Sequence, residues 1–105
     1  MDEKPIALVT GANKGLGKEV ARQLGKRGLR VYLGSRNWTR GEEAAAALIA
    51  EGLDVVPVQI DVTNDESVTA VVQEIQRQHG RLDVLVNNAG VLVARPAFEI
   101  TSAEM

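Results

Sequence analysis

Residues 6–9 read Ile-Ala-Leu-Val, an uninterrupted apolar run, and Gly11-Ala12-Asn13-Lys14-Gly15-Leu16-Gly17 follows almost at once. An apolar run with no polar alternation reads as a strand buried on both faces, the usual situation in a parallel sheet. Behind the first glycine, Leu16, Val20 and Leu24 recur at i, i+4 and i+8 with Ala21 beside them, which is one apolar helix face. A buried strand that turns through glycines directly into a helix is the opening of a β-α-β unit. It commits the chain to an α/β architecture.

The alternation continues along the chain. Gly28 is placed to stop the first helix, and Val31-Tyr32-Leu33 is a second strand. A polar loop from Ser35 to Arg40 then leads to a helix over 42–51, with Ala44, Ala45, Leu48 and Ile49 on one face and Gly52 closing it. Val55-Val56-Pro57-Val58-Gln59-Ile60 is a third strand. Pro57 cannot donate a ladder hydrogen bond, which assigns this strand to a sheet edge. Thr63-Asn64-Asp65-Glu66 fits a capping box, Val68, Val71, Val72 and Ile75 keep helical spacing, and Gly80 ends the run. Val84-Leu85-Val86 is a fourth strand. After Gly90 the pattern fades into a loop containing Pro96, with a helix expected to start at Ser102.

Four strands separated by three helices call for right-handed crossovers. The expected fold is a partial doubly wound parallel sheet, order 3-2-1-4, forming one incomplete domain over residues 1–105. In that order the proline-bearing third strand falls at an outer edge, as its chemistry requires. The apolar fourth strand is left without a neighbour on its far side. Such an edge invites pairing with another chain, so an oligomer through this strand is an expectation.

Composition narrows the function. Twelve basic residues against fourteen acidic give a net charge of −2, with no basic stripe for nucleic acid or an anionic membrane. There is no cysteine and one histidine, His79, so neither a thiolate nor a histidine-rich metal site is expected. His79 precedes a glycine at a helix end and reads as a surface residue compensating the helix dipole. The polar start, Met1 to Pro5, does not resemble a signal peptide, no stretch is long enough to span a bilayer, and the cytosol is the expected address.

The glycine loop has a physical use beyond turning the chain. A helix N-terminus offers unpaired N–H groups and a positive dipole end, which suit a phosphate, and glycines let backbone approach the ligand. The spacing is G-x-x-x-G-x-G and not the general G-x-G-x-x-G, and taken alone it is open to a purely structural reading. Three motifs in order add specificity. Thr10 to Gly17 resembles the cofactor loop of the short-chain dehydrogenase/reductase family, with Asn13-Lys14 worded as in its carbonyl-reductase branch. Asp61-Val62 resembles that family's adenine-contacting pair, and Asn87-Asn88-Ala89-Gly90 matches its N-N-A-G signature.

The resemblance covers nearly the whole chain. It implies that Gly11, Gly15 and Gly17 line a pyrophosphate, with Asn13, Lys14 and Leu16 completing the loop. It implies that Asp61 bonds the adenine amino group with Val62 beside it, that Asn87 steadies the middle of the sheet, and that Ala89 and Gly90 admit the ribose. The residues alone leave Asp61 open as a helix-entry carboxylate and the asparagine pair open as strand-end turn chemistry.

Cofactor choice follows from what ends the second strand. An acid roughly 20 residues past the glycines accepts from the 2′-OH of NAD. Here the strand ends Leu33-Gly34-Ser35-Arg36-Asn37, with no acid. Ser35 can donate a hydrogen bond, Arg36 offers a planar fork for phosphate, and Lys14 adds a second cation, so NADP(H) is the expected cofactor.

Members of the family move hydride between the nicotinamide and a small carbonyl or alcohol, using a serine and a Y-x-x-x-K pair. No such catalytic set can be placed here. The only tyrosine, Tyr32, lies in the second strand, and Arg36 stands four residues on. The expectation is therefore the front half of a longer oxidoreductase, inactive by itself. The alternative is a genuine short nucleotide-binding or partner-docking protein without catalysis.

Overall fold

The computed structural model describes residues 4–88 and the backbone of residues 99–101. The elements run β1 (Ile6–Thr10), α1 (Gly15–Lys26), β2 (Arg30–Ser35), α2 (Trp38–Ala50), β3 (Val55–Gln59), α3 (Asp65–His79), β4 (Val84–Asn87) and β5 (Glu99–Thr101). All strands are parallel, in the order β3-β2-β1-β4-β5. The expected 3-2-1-4 sheet with three helices is present, and β3 with its Pro57 lies at the edge beside β2.

Adjacent strand residues face opposite sides of the sheet, and both sides are covered. Val9, Val31, Leu33 and Val86 pack under α1 and α2 with Ala21, Ala44 and Leu48. Ile6, Leu8, Tyr32 and Leu85 pack under α3 with Val68, Val72 and Ile75. This two-sided burial explains the continuous apolar runs at β1 and β4, whose neighbours differ in side yet are equally dry.

Three local expectations need correction. The second helix starts at Trp38, not at residue 42, because the Asn37 side chain accepts from the Arg40 N–H at 3.0 Å and caps it. The third helix is capped by Asn64, not Thr63. Its Oδ1 accepts from Glu66 N–H at 2.9 Å and from Ser67 N–H at 3.3 Å, while the Thr63 hydroxyl turns back to Asp61. Gly80 ends that helix as expected, in the left-handed region at φ 73°.

The third correction concerns the outer edge of β4. Residues 99–101, expected in a loop, form β5 in parallel register with it, pairing Val84 with Glu99, Leu85 with Ile100 and Val86 with Thr101. The ladder satisfies backbone groups that an open edge would leave to solvent, and it occupies the place where strand addition by another chain was expected. The helix expected from Ser102 lies outside the described residues.

Candidate functional site

The C-terminal ends of β1 and β4 meet at the glycine loop, and side chains bolt them together. The Thr10 hydroxyl donates to Asn87 Oδ1 at 3.1 Å and accepts from the Asn88 N–H at 3.1 Å. Asn88 Nδ2 donates to the Gly11 carbonyl, also at 3.1 Å. Thr10 and Asn87 are buried, so these bonds work in a dry setting where an unmade bond is costly. Asn87 thus ties the end of β4 to the end of β1. Ala89 and Gly90 lie outside the described residues.

Glycine geometry shapes the loop, as Gly15 and Gly17 show. Gly15 opens α1 at φ 62°, a region other residues adopt reluctantly. Gly17 sits in the first turn, where a Cβ would lie 2.4 Å from the Gly11 carbonyl oxygen and 2.6 Å from Asn88 Nδ2. No larger residue fits that closure. Ala12 is buried and its N–H donates to the Gly34 carbonyl at 2.9 Å, anchoring the loop to β2.

The N-terminus of α1 differs from those of α2 and α3 in its capping. Lys14 stands at the N-cap with no side-chain cap bond, and no acid lies in the first turn. The leading N–H groups and the positive dipole end are therefore available to an anion. Lys14 and Leu16 are exposed on this loop, and Asn13 is half-buried.

Asp61 follows β3. Its Oδ1 accepts from the Thr63 hydroxyl at 2.6 Å and from the Thr63 N–H at 3.0 Å, and the Asp61 N–H donates to Ser67 Oγ at 3.0 Å. The bonds from Thr63, aided by the nearby Arg36 charge, hold this carboxyl below its ordinary range, so it is an ionised acceptor at neutral pH. Its Oδ2 makes no hydrogen bond among the described residues. Val62 is half-buried beside it.

At the end of β2 the geometry divides the expected pair. Arg36 is exposed, and its guanidinium makes no hydrogen bond among the described residues; only its carbonyl is engaged, accepting from Gln59 Nε2 at 3.2 Å. Ser35 is buried, and its hydroxyl donates to the Asn37 carbonyl at 2.9 Å while accepting from the Asn37 N–H at 3.2 Å. The Ser35 hydroxyl is thus occupied in bracing the turn that presents Arg36 and caps α2.

Two cations escaped the sequence reading. Lys18 and Arg40 join Asn13, Lys14, Glu43 and Ala44 around a cavity of about 450 Å³ between the starts of α1 and α2. Three cations face one carboxylate there. The signal was present in the sequence for Lys18, one helical turn after Lys14, while Arg40 reaches the cavity from the first turn of α2, which starts at Trp38.

Tyr32 lies away from this site, under α3. Its hydroxyl is 2.6 Å from His79 Nε2 and the two rings meet edge to face at 5.9 Å. Burial pushes the Tyr32 hydroxyl above its ordinary range. His79 is accordingly half-buried against a strand residue, not a plain surface residue as expected.

The donor set suits a dinucleotide: an uncapped helix start for the pyrophosphate, an ionised acceptor after β3, and cations after β2. Comparison with known proteins agrees. The family model for short chain dehydrogenases matches residues 5–105. The chain is 53% identical over 90 residues to (-)-isopiperitenone reductase of Mentha piperita, covering 81% of this chain and 28% of that one. It is 43% identical over 90 residues to carbonyl reductase (NADPH) 1 of Rattus norvegicus, covering 85% and 32%. A metagenomic short-chain oxidoreductase solved in complex with NADP superposes with a TM-score of 0.77 at 37% identity, covering 83% and 39%. The chain spans about a third of the length of these relatives. It belongs to the short-chain dehydrogenase family.

Proposed function

We propose that this chain is the NADP(H)-binding portion of an oxidoreductase acting on a small carbonyl or alcohol. The observation that carries the reading is the uncapped start of α1, closed by Gly17 against Gly11 and Asn88, next to a cavity lined by Lys14, Lys18 and Arg40. When bound, the nicotinamide would supply or accept hydride.

The chain's own residues do the holding. N–H groups of the first turn of α1 receive the pyrophosphate. Asp61 Oδ2 accepts from the adenine amino group, while Thr63 keeps the carboxylate ionised and oriented. Arg36 and Lys14 face the 2′-phosphate, with Arg40 and Lys18 adding field, and β2 ends without the acid that would repel it. Ser35 contributes by fixing the turn under Arg36 and Asn37. Asn87 keeps the ends of β1 and β4 aligned beneath the loop.

Among the described residues no tyrosine stands at the glycine loop to pass a proton. Tyr32 is buried at β2 and bonded to His79, remote from the glycine loop. The chain alone should therefore bind cofactor and turn nothing over. Purified chain incubated with NADPH and a panel of ketones and aldehydes should show no loss of absorbance beyond the blank. Steady oxidation that scales with protein concentration would refute this.

A further inference from the structure

The end of the sheet remote from the glycine loop carries a second concavity. Lys4 before β1, Arg30 opening β2, Asp54 before β3, and His79 and Arg81 around the end of α3 line a cavity of about 390 Å³. A second cavity of about 480 Å³ lies between α3 and the outer strands, walled by Tyr32, Val56, Val58, Val71 and Ile75. Arg30, Gln78 and His79 line both, so the polar and the apolar volumes share a wall. Each volume falls within the roughly 300–1,000 Å³ of small-molecule sites.

The charges at the junction are unbalanced. One oxygen, Asp54 Oδ2, accepts from both Lys4 Nζ at 3.2 Å and Arg30 Nε at 2.9 Å. One carboxylate thus answers two cations, and the Nη groups of Arg30 make no hydrogen bond among the described residues. Arg81 is paired with Asp83 at 2.8 Å and Glu74 with Arg77, so Lys4 and Arg30 against the single Asp54 leave one positive charge. Glu74 lies along α3 and is already held by Arg77 and Gln78.

We propose that this concavity binds a small amphiphilic carboxylate, with its head on Arg30 and Lys4 and its apolar tail along Tyr32, Val56, Val58 and Val71. The guanidinium fork matches a carboxylate in geometry, and the single surplus charge matches a monoanion. The valine wall gives the tail a gain from burial that a bare anion would lack. A cationic amphiphile is disfavoured by the same surplus.

The test is an NMR titration of the full 105-residue chain with sodium octanoate, using acetate and octanol as controls. Octanoate should shift Arg30, Tyr32, Val56 and Val71 saturably. Octanol should shift the same residues at least about five-fold more weakly, and acetate should leave them unmoved. Arg30→Gln should weaken octanoate at least about five-fold and leave octanol unchanged. Should that variant fail to fold, Lys4→Gln, on a side chain more than half exposed, should show a smaller loss of the same sign. NADP+ binding should be the same in either variant, because the glycine loop lies at the other end of the strands.

Equal affinity for octanoate and octanol would overturn the proposal, as would no shift at any octanoate concentration below micelle formation. Shifts confined to Gly15–Lys18 would place the anion in the cofactor loop instead. Shifts at the valine wall that depend on protein concentration without ligand would assign the groove to a second copy of the chain.

Discussion

The backbone N–H of Asn88 donates to the Thr10 hydroxyl over 3.1 Å, joining the end of β4 to the residue that leads into the glycine loop. Because the same hydroxyl donates to Asn87 Oδ1, one side chain serves two strand-end partners. Thr10→Val keeps the volume and removes both bonds. It should cost about 1–3 kcal/mol, the range for stranding buried polar groups. Chemical denaturation measures the loss, and faster exchange of the Asn88 amide would locate it. Unchanged stability would mean the bracket carries no load.

Gly17→Ala should be harsher on binding than on folding. Its Cβ would press on the Gly11 carbonyl, so the loop must shift, at about 1–3 kcal/mol of overpacking strain. The displaced loop no longer presents the first-turn N–H groups, and NADP+ affinity should fall by more than about ten-fold, or 1.4 kcal/mol. Fluorescence titration with NADPH checks this. A Gly17→Ala protein that binds normally would mean the first turn does not hold the pyrophosphate.

Arg36 and Ser35 should separate in their effects. Arg36→Ala should weaken NADPH by about ten-fold or more, consistent with a charge-assisted hydrogen bond of about 1.5–3 kcal/mol, and should leave NADH nearly unchanged. Ser35→Ala should first loosen the start of α2, at about 1 kcal/mol, because it removes the brace on the capping residue Asn37. Hydrogen exchange of the Arg40 amide in cofactor-free protein reads that step. Equal losses of NADPH and NADH in Arg36→Ala would remove Arg36 from the 2′-phosphate.

Stability should fall in acid through two aspartates. Asp83 is held below its ordinary range first by Arg81 and also by the Ile6 N–H, which it accepts at 2.8 Å. Burial raises Asp54, but the hydrogen bonds from Arg30 and Lys4 outweigh it and the net shift is downward. Both folded values lie below the unfolded ones. Their stabilising contribution is therefore complete above the unfolded carboxylate range, near pH 4, and is lost as pH falls through the folded values. Thermal melts across pH 2–6 should show a decline that is shallower in Asp83→Asn. A decline identical in the variant would place the acid sensitivity elsewhere.

The sheet order was legible because two independent signals agreed: Pro57 demanded an edge, and the order 3-2-1-4 supplied one. The two-sided core was legible in the unbroken apolar runs of β1 and β4. Helix starts were not, because periodicity marks the buried face and says nothing about where capping begins. Asn37 sits seven residues before Ala44, the first buried alanine of α2, so the first turn read as loop. Strand β5 was hidden for a different reason: three residues give no alternation, and only the open edge of β4 makes Glu99–Thr101 a strand. At the site, backbone positions such as Gly17 were readable from motif and spacing. Side-chain direction was not: Ser35 and Arg36 are neighbours in sequence, yet one is locked inward on Asn37 and the other exposed.

The most direct measurement is a calorimetric titration of the folded chain with NADP+ and, in parallel, with NAD+. The account predicts one site per chain and an affinity for NADP+ at least about ten-fold above that for NAD+, the preference narrowing as salt is raised. Folded chain that binds neither dinucleotide, or binds both alike, would contradict it.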